Sequence, residues 1–155
     1  MRFRSLLLLP VLALLVFSAS AEAVIVPQHS IAGVRLGMTE VQVRAKLGVP
    51  IRVRHGSNLF GSWRQLVYGR VDVSFQSGKK ATSLTTKSKL ERTPSGVGVG
   101  STLTQLRAGL KGEICKKEFG VHHCWIGSWE PGRVISDFRL VRGRVSVVGI
   151  GYVFD

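Results

Sequence analysis

Cysteine and histidine are the side chains best suited to act as nucleophile, base or metal ligand near neutral pH. In this sequence they crowd into one short stretch, as Cys115, His122, His123 and Cys124. Cys115 and Cys124 are the only cysteines of the 155 residues. In an exported chain, which the N-terminus below points to, such a pair predicts one disulfide. Closing so short a loop stabilises the fold by about 2–3 kcal/mol through the unfolded chain. A zinc or copper site is the competing chemistry. Adjacent histidines on a strand point to opposite faces, so His122 and His123 do not readily join one ion. The disulfide is the preferred reading, with no metal or cofactor, and it leaves no thiol for nucleophilic attack.

Other catalytic patterns are sparse. From Val24 onward the acids are Glu40, Asp72, Glu91, Glu113, Glu118, Glu130, Asp137 and Asp155, and no two sit at a spacing that marks an acid–base pair. Neither a Gly-x-Ser-x-Gly elbow nor a His-Glu-x-x-His helix occurs. His29 and His55 stand alone in expected loops. The sequence therefore predicts a protein that is not an enzyme.

One stretch imitates a phosphate cradle. Residues 96–110 read GVGVGSTLTQLRAGL, with glycine at every second position before an amphipathic run. Residues 33–47, GVRLGMTEVQVRAKL, align with it at an offset of 63 and are identical at eight of fifteen positions. The earlier stretch lacks the counterpart of Gly98, so that glycine is expected to be dispensable. Both stretches keep Thr-x-x-Gln, as Thr39/Gln42 and Thr102/Gln105. That spacing is a capping box, in which threonine and glutamine satisfy the first free N–H groups of a helix. Without the Lys-Ser/Thr ending of a phosphate loop, the glycines read as helix starts and no nucleotide is expected.

The elements that would position these residues follow from the same alignment. GRV occurs at 69–71 and again at 132–134, and GSW at 61–63 and 127–129. Helices are expected at about 39–47 and 102–110. Alternation at Val71, Val73 and Phe75 marks a strand, QSGKK (76–80) a turn, and ATSLTTK (81–87) a return strand. VISDFRL and RVSVVGIGYV form a second hairpin, and further strands are expected around 64–68 and 123–128. The reading is α+β: two tandem repeats, each a short helix followed by a roughly three-stranded antiparallel meander, with the sheets packed side by side, a placement that would let them hydrogen-bond into one antiparallel surface with the helices on one face. The units are 24–88 and 96–155, with 89–95 as connector.

The first 23 residues, MRFRSLLLLPVLALLVFSASAEA, place Arg2 and Arg4 before an apolar run and end in small residues. This is the order of a secretory signal peptide cleaved near Ala21 or Ala23, and the run is shorter than the roughly 20 residues of a membrane span. Its removal takes away Arg2, Arg4 and Glu22, leaving 20 basic and 8 acidic residues. A secreted product, extracellular or associated with the cell envelope, is expected to meet anionic partners.

The motif I-x-G-V-R-L-G-M-T-x-x-x-V-x-x-x-L-G-x-P at Ile31–Pro50, followed by a meander, resembles the small outer-membrane lipoprotein (SmpA/OmlA) family. A tandem pair in a secreted chain is similar to the β-lactamase inhibitor proteins and to short exported proteins of high-GC bacteria. The resemblance implies a non-enzymatic role, either scaffolding an envelope complex or binding another protein across an open sheet face.

Two binding chemistries are legible. Aromatic anchors for a secreted or envelope protein are Phe60, Trp63, Tyr68, Trp125 and Trp129. Trp63 and Trp129 lie in the shared GSW, where filling the core of each unit is the favoured reading, so Phe60 and Trp125 are the better interface candidates. The alternative is a basic binder of anionic cell-surface polymer or extracellular nucleic acid. It would use Arg52, Arg54, Arg64, Lys79, Lys80, Lys116, Lys117, Arg142 and Arg144, with Arg52 and Arg54 on one strand face.

Overall fold

The computed structural model describes residues 25–118 and 120–154. The expected signal peptide, 1–23, lies outside the described residues. The chain opens with a small antiparallel sheet of β1 (Ile25–Val26), β2 (Ser30–Ile31) and β3 (Val34–Arg35), then α1 (Glu40–Leu47). Four strands follow: β4 (Arg52–Asn58), β5 (Gly61–Val67), β6 (Asp72–Gln76) and β7 (Ser83–Thr86). After α2 (Leu103–Gly109) come β8 (Ile114–Glu118), β9 (Val121–Gly127), β10 (Val134–Val141) and β11 (Arg144–Tyr152). Strands β4 to β11 build one antiparallel sheet in the order β4-β5-β6-β7-β11-β10-β9-β8.

This architecture corrects the expected fold class. Among the described residues the protein is mostly β, with 49% strand and two short helices, rather than an α+β tandem of helix-plus-three-strand units. The expectation missed two pieces for physical reasons. β8, exposed at all but one position, shows no apolar alternation, and β4, exposed throughout, is marked only by the alternation around Arg52 and Arg54. The segment 25–35 folds into its own sheet through turns with positive φ at Gln28 and Ala32, residues that carry no strong turn signature. β7 pairs with β11, Leu84 opposite Ile150, so the two meanders join by hydrogen bonds into one eight-stranded antiparallel sheet.

The helix starts form as the local chemistry dictates. The N–H of Gln42 donates to Thr39 Oγ1, and the N–H of Thr39 donates back to Gln42 Oε1 at 2.9 Å. Thr102 and Gln105 make the same exchange, at 3.2 and 2.8 Å. Each box meets two N–H groups that the helix itself leaves unpaired.

One face of the large sheet carries the core. Leu66, Val73, Leu84 and Ile150 lie in register across four strands, and Val43 of α1 and Leu106 of α2 are buried with them. Each such side chain stabilises the fold by about 1.5–3 kcal/mol on burial. Ser136 continues that row and, fully buried, accepts from the N–H of Gln28 at 2.5 Å. That bond fastens the small sheet over the core. The other face presents the alternate residues, among them Arg52, Arg54, Trp63, Ser74, Ser83, Thr85, Asp137, His123 and Trp125.

Candidate functional site

The second half of the open face holds the densest group of interacting side chains. Antiparallel register brings Arg139 opposite His123 and Asp137 opposite Trp125, while Lys116 and Ile114 of β8 complete the two rows. Trp129, in the loop after β9, folds back over these residues. The Trp125 and Trp129 rings meet edge to face with centroids 5.9 Å apart and planes at 69°. The His123 ring lies 5.1 Å from Trp125 and 6.2 Å from Trp129. Such tilted pairs contribute about 0.5–1.5 kcal/mol beyond their buried area. Trp125 is only 5% exposed yet stands outside the main core, because Trp129, 49% exposed, covers it.

Charge is arranged around this aromatic floor. His123 Nδ1 is 3.0 Å from Asp137 Oδ1, and Arg139 Nε donates to the other oxygen, Oδ2, at 3.2 Å. Glu118 sits 4.0 Å from His123 Nε2 and 3.6 Å from Lys116 Nζ. Lys116 Nζ in turn lies 6.0 Å above the Trp125 ring. The cleft so formed has a volume of about 600 Å³. Its two polar rims flank an apolar floor, which is the composition of a recognition site. A histidine oriented by a carboxylate also resembles half of a nucleophile-activating triad. No serine, threonine or cysteine is among the residues lining the cleft, so no hydroxyl or thiol stands ready to be activated.

Cys115 and Cys124 are directly paired across β8 and β9 and joined by a disulfide, as the sequence predicted. Among the described residues no cysteine is free. The bond clamps the edge strand β8 and thereby holds Lys116 and Glu118 beside the indoles. His123 projects into the cleft, whereas His122, opposite Leu140 and Lys117, belongs to the other face. No group of three or more potential metal ligands occurs among the described residues.

The remaining predicted residues are dispersed. Phe60 tips the β4–β5 turn, half exposed, and packs 5.8 Å from Phe154. Trp63 lies against the backbone of its paired neighbour Gly56, where an added Cβ would come within 2.8 Å of the ring. Tyr68 is buried in the core, its hydroxyl without a partner, and burial raises its pKa. So Phe60, Trp63 and Tyr68 do not join the tryptophan cleft. Of the two GSW tryptophans, Trp129 is half exposed beside the cleft and Trp63 is partly buried in the other half of the sheet; Trp125, from outside that motif, lies beneath Trp129.

The basic residues divide in the same way. Arg52 and Arg54 are exposed on the open face of β4, at the sheet edge opposite the cleft. Arg64 points to the helical side and ion-pairs with Glu40 at 2.5 Å. Arg44 reaches the other Glu40 oxygen at 2.7 Å, and these contacts hold the carboxyl below its ordinary pKa. Lys79 and Lys80 occupy the β6–β7 turn, and Arg142 the β10–β11 turn. Arg144 donates to the Gly100 carbonyl at 3.1 Å, and Lys116 and Lys117 fall on opposite faces. No single stripe collects them.

Asp72, on the open face near Arg54 and Lys87, has its pKa raised, chiefly by burial.

No protein-family model matches this chain, and no curated protein matches it. Two solved structures are similar in fold. One is an extracellular protein containing a SCP domain from Bacillus anthracis strain Ames, 13% identical, with a TM-score of 0.50 over 76% of this chain. The chain spans 44% of that protein's length. The other is a DUF4309 family protein (YjgB) from Bacillus subtilis subsp. subtilis strain 168, also 13% identical, with a TM-score of 0.48 over 85% of this chain and 89% of its own length. Neither is described as a small outer-membrane lipoprotein or a β-lactamase inhibitor. The disulfide is consistent with secretion. Among the described residues no helix is long and apolar enough to cross a membrane.

Proposed function

We propose that this is an exported, non-catalytic binding protein that takes a segment of another secreted or envelope protein into the Trp125–Trp129–His123 cleft on the open face of its sheet. The observation that carries the reading is the half-exposed Trp129 lying edge to face on Trp125, rimmed by Lys116, Glu118, Asp137 and Arg139. Tryptophan and arginine are the residues that most often anchor interfaces, and a ring of polar groups around them excludes water. Both charge signs line the rim, which suits a polypeptide better than a uniformly anionic polymer.

Retention by the immobilised protein tests this. Envelope and culture fractions are passed over wild type and Trp129→Ala and eluted in rising salt. A discrete protein held above about 0.5 M salt, where screening acts within a few ångströms, and lost from Trp129→Ala is the expected result. Equal retention by both overturns the reading.

A further inference from the structure

The cleft with the strongest single-sign charge is on the other side of the sheet, and none of the basic pairs visible in sequence builds it. The small sheet, the C-terminal turn of α1, the β5–β6 turn and residues 90–96 enclose a volume of about 990 Å³. Into it they bring Arg35, Lys46, Arg70 and Arg92, and no aspartate or glutamate is among the lining residues. Arg35 and Lys46 form no ion pair among the described residues. The nearby acid, Glu91, is wholly buried and engaged with Arg70 at 2.6 Å.

A second cleft of about 660 Å³ adjoins it, also without a carboxylate in its lining, and adds Lys89 and Arg144. Arg92 and Gly96 line both. Arg92 is fixed in place: its Nε donates to the Lys89 carbonyl at 3.0 Å, and its Nη1 to the Gly96 carbonyl at 3.3 Å and Ser101 Oγ at 3.1 Å. The sharp turn that holds it depends on Gly98, where a Cβ would collide with the Glu91 carbonyl and the Arg92 side chain. Gly98, dispensable to the structure the two stretches share, is needed for this contact of the second stretch with the connector. Its lack of a side chain lets residues 91 and 92 pass close to 98.

Arg70 is balanced by Glu91, but Arg35, Lys46 and Arg92 form no ion pair among the described residues; like charges so held repel one another, and an anionic ligand relieves that repulsion. Guanidinium forks match the paired oxygens of phosphate and sulfate groups. The two joined volumes, with a fixed arginine between them, exceed what one such group fills. We infer that the paired clefts around Arg92 bind a flexible polyanion segment carrying at least two phosphate or sulfate groups, on the side of the sheet away from the tryptophan cleft and independently of it.

The test uses labelled inorganic polyphosphate and a labelled sulfated oligosaccharide, titrated by fluorescence anisotropy against the whole protein. Arg35→Gln/Lys46→Gln is compared with the charge-matched Arg52→Gln/Arg54→Gln. All four side chains are exposed, so both double variants should fold, and the single variants Arg35→Gln and Lys46→Gln repeat the test with less change. Affinity should fall about tenfold or more for Arg35→Gln/Lys46→Gln and less than threefold for Arg52→Gln/Arg54→Gln. The slope of log affinity against log salt should flatten by roughly two in the first variant alone. Binding of one probe identifies its source, and binding of both assigns the site to the shared oxyanion chemistry. Equal losses in the two double variants, or no binding of either probe, would overturn the inference.

Discussion

On the open face, His123 and Trp125 stand two residues apart on β9 and Trp129 folds back over them from the loop that follows, so the three lie within six positions of sequence. On the helical side, Arg35, Lys46, Arg70 and Arg92 come from four distant segments and converge only because the small sheet and the 89–96 connector dock over the core. The first site is stabilising in itself, since its aromatic rings cover one another. The second is a concentration of like charge that the rest of the fold must hold in place. Side chains that attract assemble a site locally, whereas side chains that repel are brought together only by tertiary structure.

That contrast makes removal of the covered ring the largest expected effect. Trp125→Ala should lower the unfolding free energy by about 3 kcal/mol in urea titration, as deleting a buried aromatic does, while Arg35→Gln should leave it unchanged. Next is the clamp: Cys115→Ser/Cys124→Ser should lose about 2–3 kcal/mol in the same titration. It should also weaken partner retention at the tryptophan cleft without altering polyanion affinity. Gly56→Ala follows, at about 1–3 kcal/mol, because a methyl group there must displace the Trp63 ring. Wild-type stability would count against that packing. Trp129→Ala should change stability by less than about 1 kcal/mol for a half-exposed ring and reduce partner affinity more than tenfold.

The smallest effect concerns acid. Arg44 and Arg64 hold Glu40 below its ordinary pKa against the opposing pull of partial burial. The ion pairs therefore contribute fully above the ordinary glutamate range, and that contribution is lost as pH falls through the lowered folded value. Urea titrations of wild type and Glu40→Gln should differ near neutrality and converge in strong acid. A gap that widens on acidification would contradict the assignment.

How much of this the sequence disclosed depended on how local the physics was. Thr39/Gln42 and Thr102/Gln105 were legible because a capping box is settled within four residues. The Cys115–Cys124 bond was legible because only one pairing exists. β8 was not, since an edge strand exposed on both sides carries no periodic apolar signal, and β4 was legible only as the alternation around Arg52 and Arg54. The eight-stranded sheet hangs on Leu84 meeting Ile150, a pairing across 66 positions that no local pattern encodes. Adjacent lysines such as Lys79-Lys80 drew attention as a charge cluster and lie in a turn. Arg35, Lys46, Arg70 and Arg92 are scattered in sequence and gather in one cleft. Exposure of Trp129 and burial of Trp125 could not be ranked from residue type, because the order depends on which indole the 128–133 loop folds back.

The most direct test of the two-sided account follows the indole N–H signals of the three tryptophans by NMR. Adding the retained partner protein should shift Trp125 and Trp129 and spare Trp63, while adding polyphosphate should shift none of the three. Indoles unmoved by the partner, or Trp125 and Trp129 moved by polyphosphate, would contradict the assignment of protein binding to the open face.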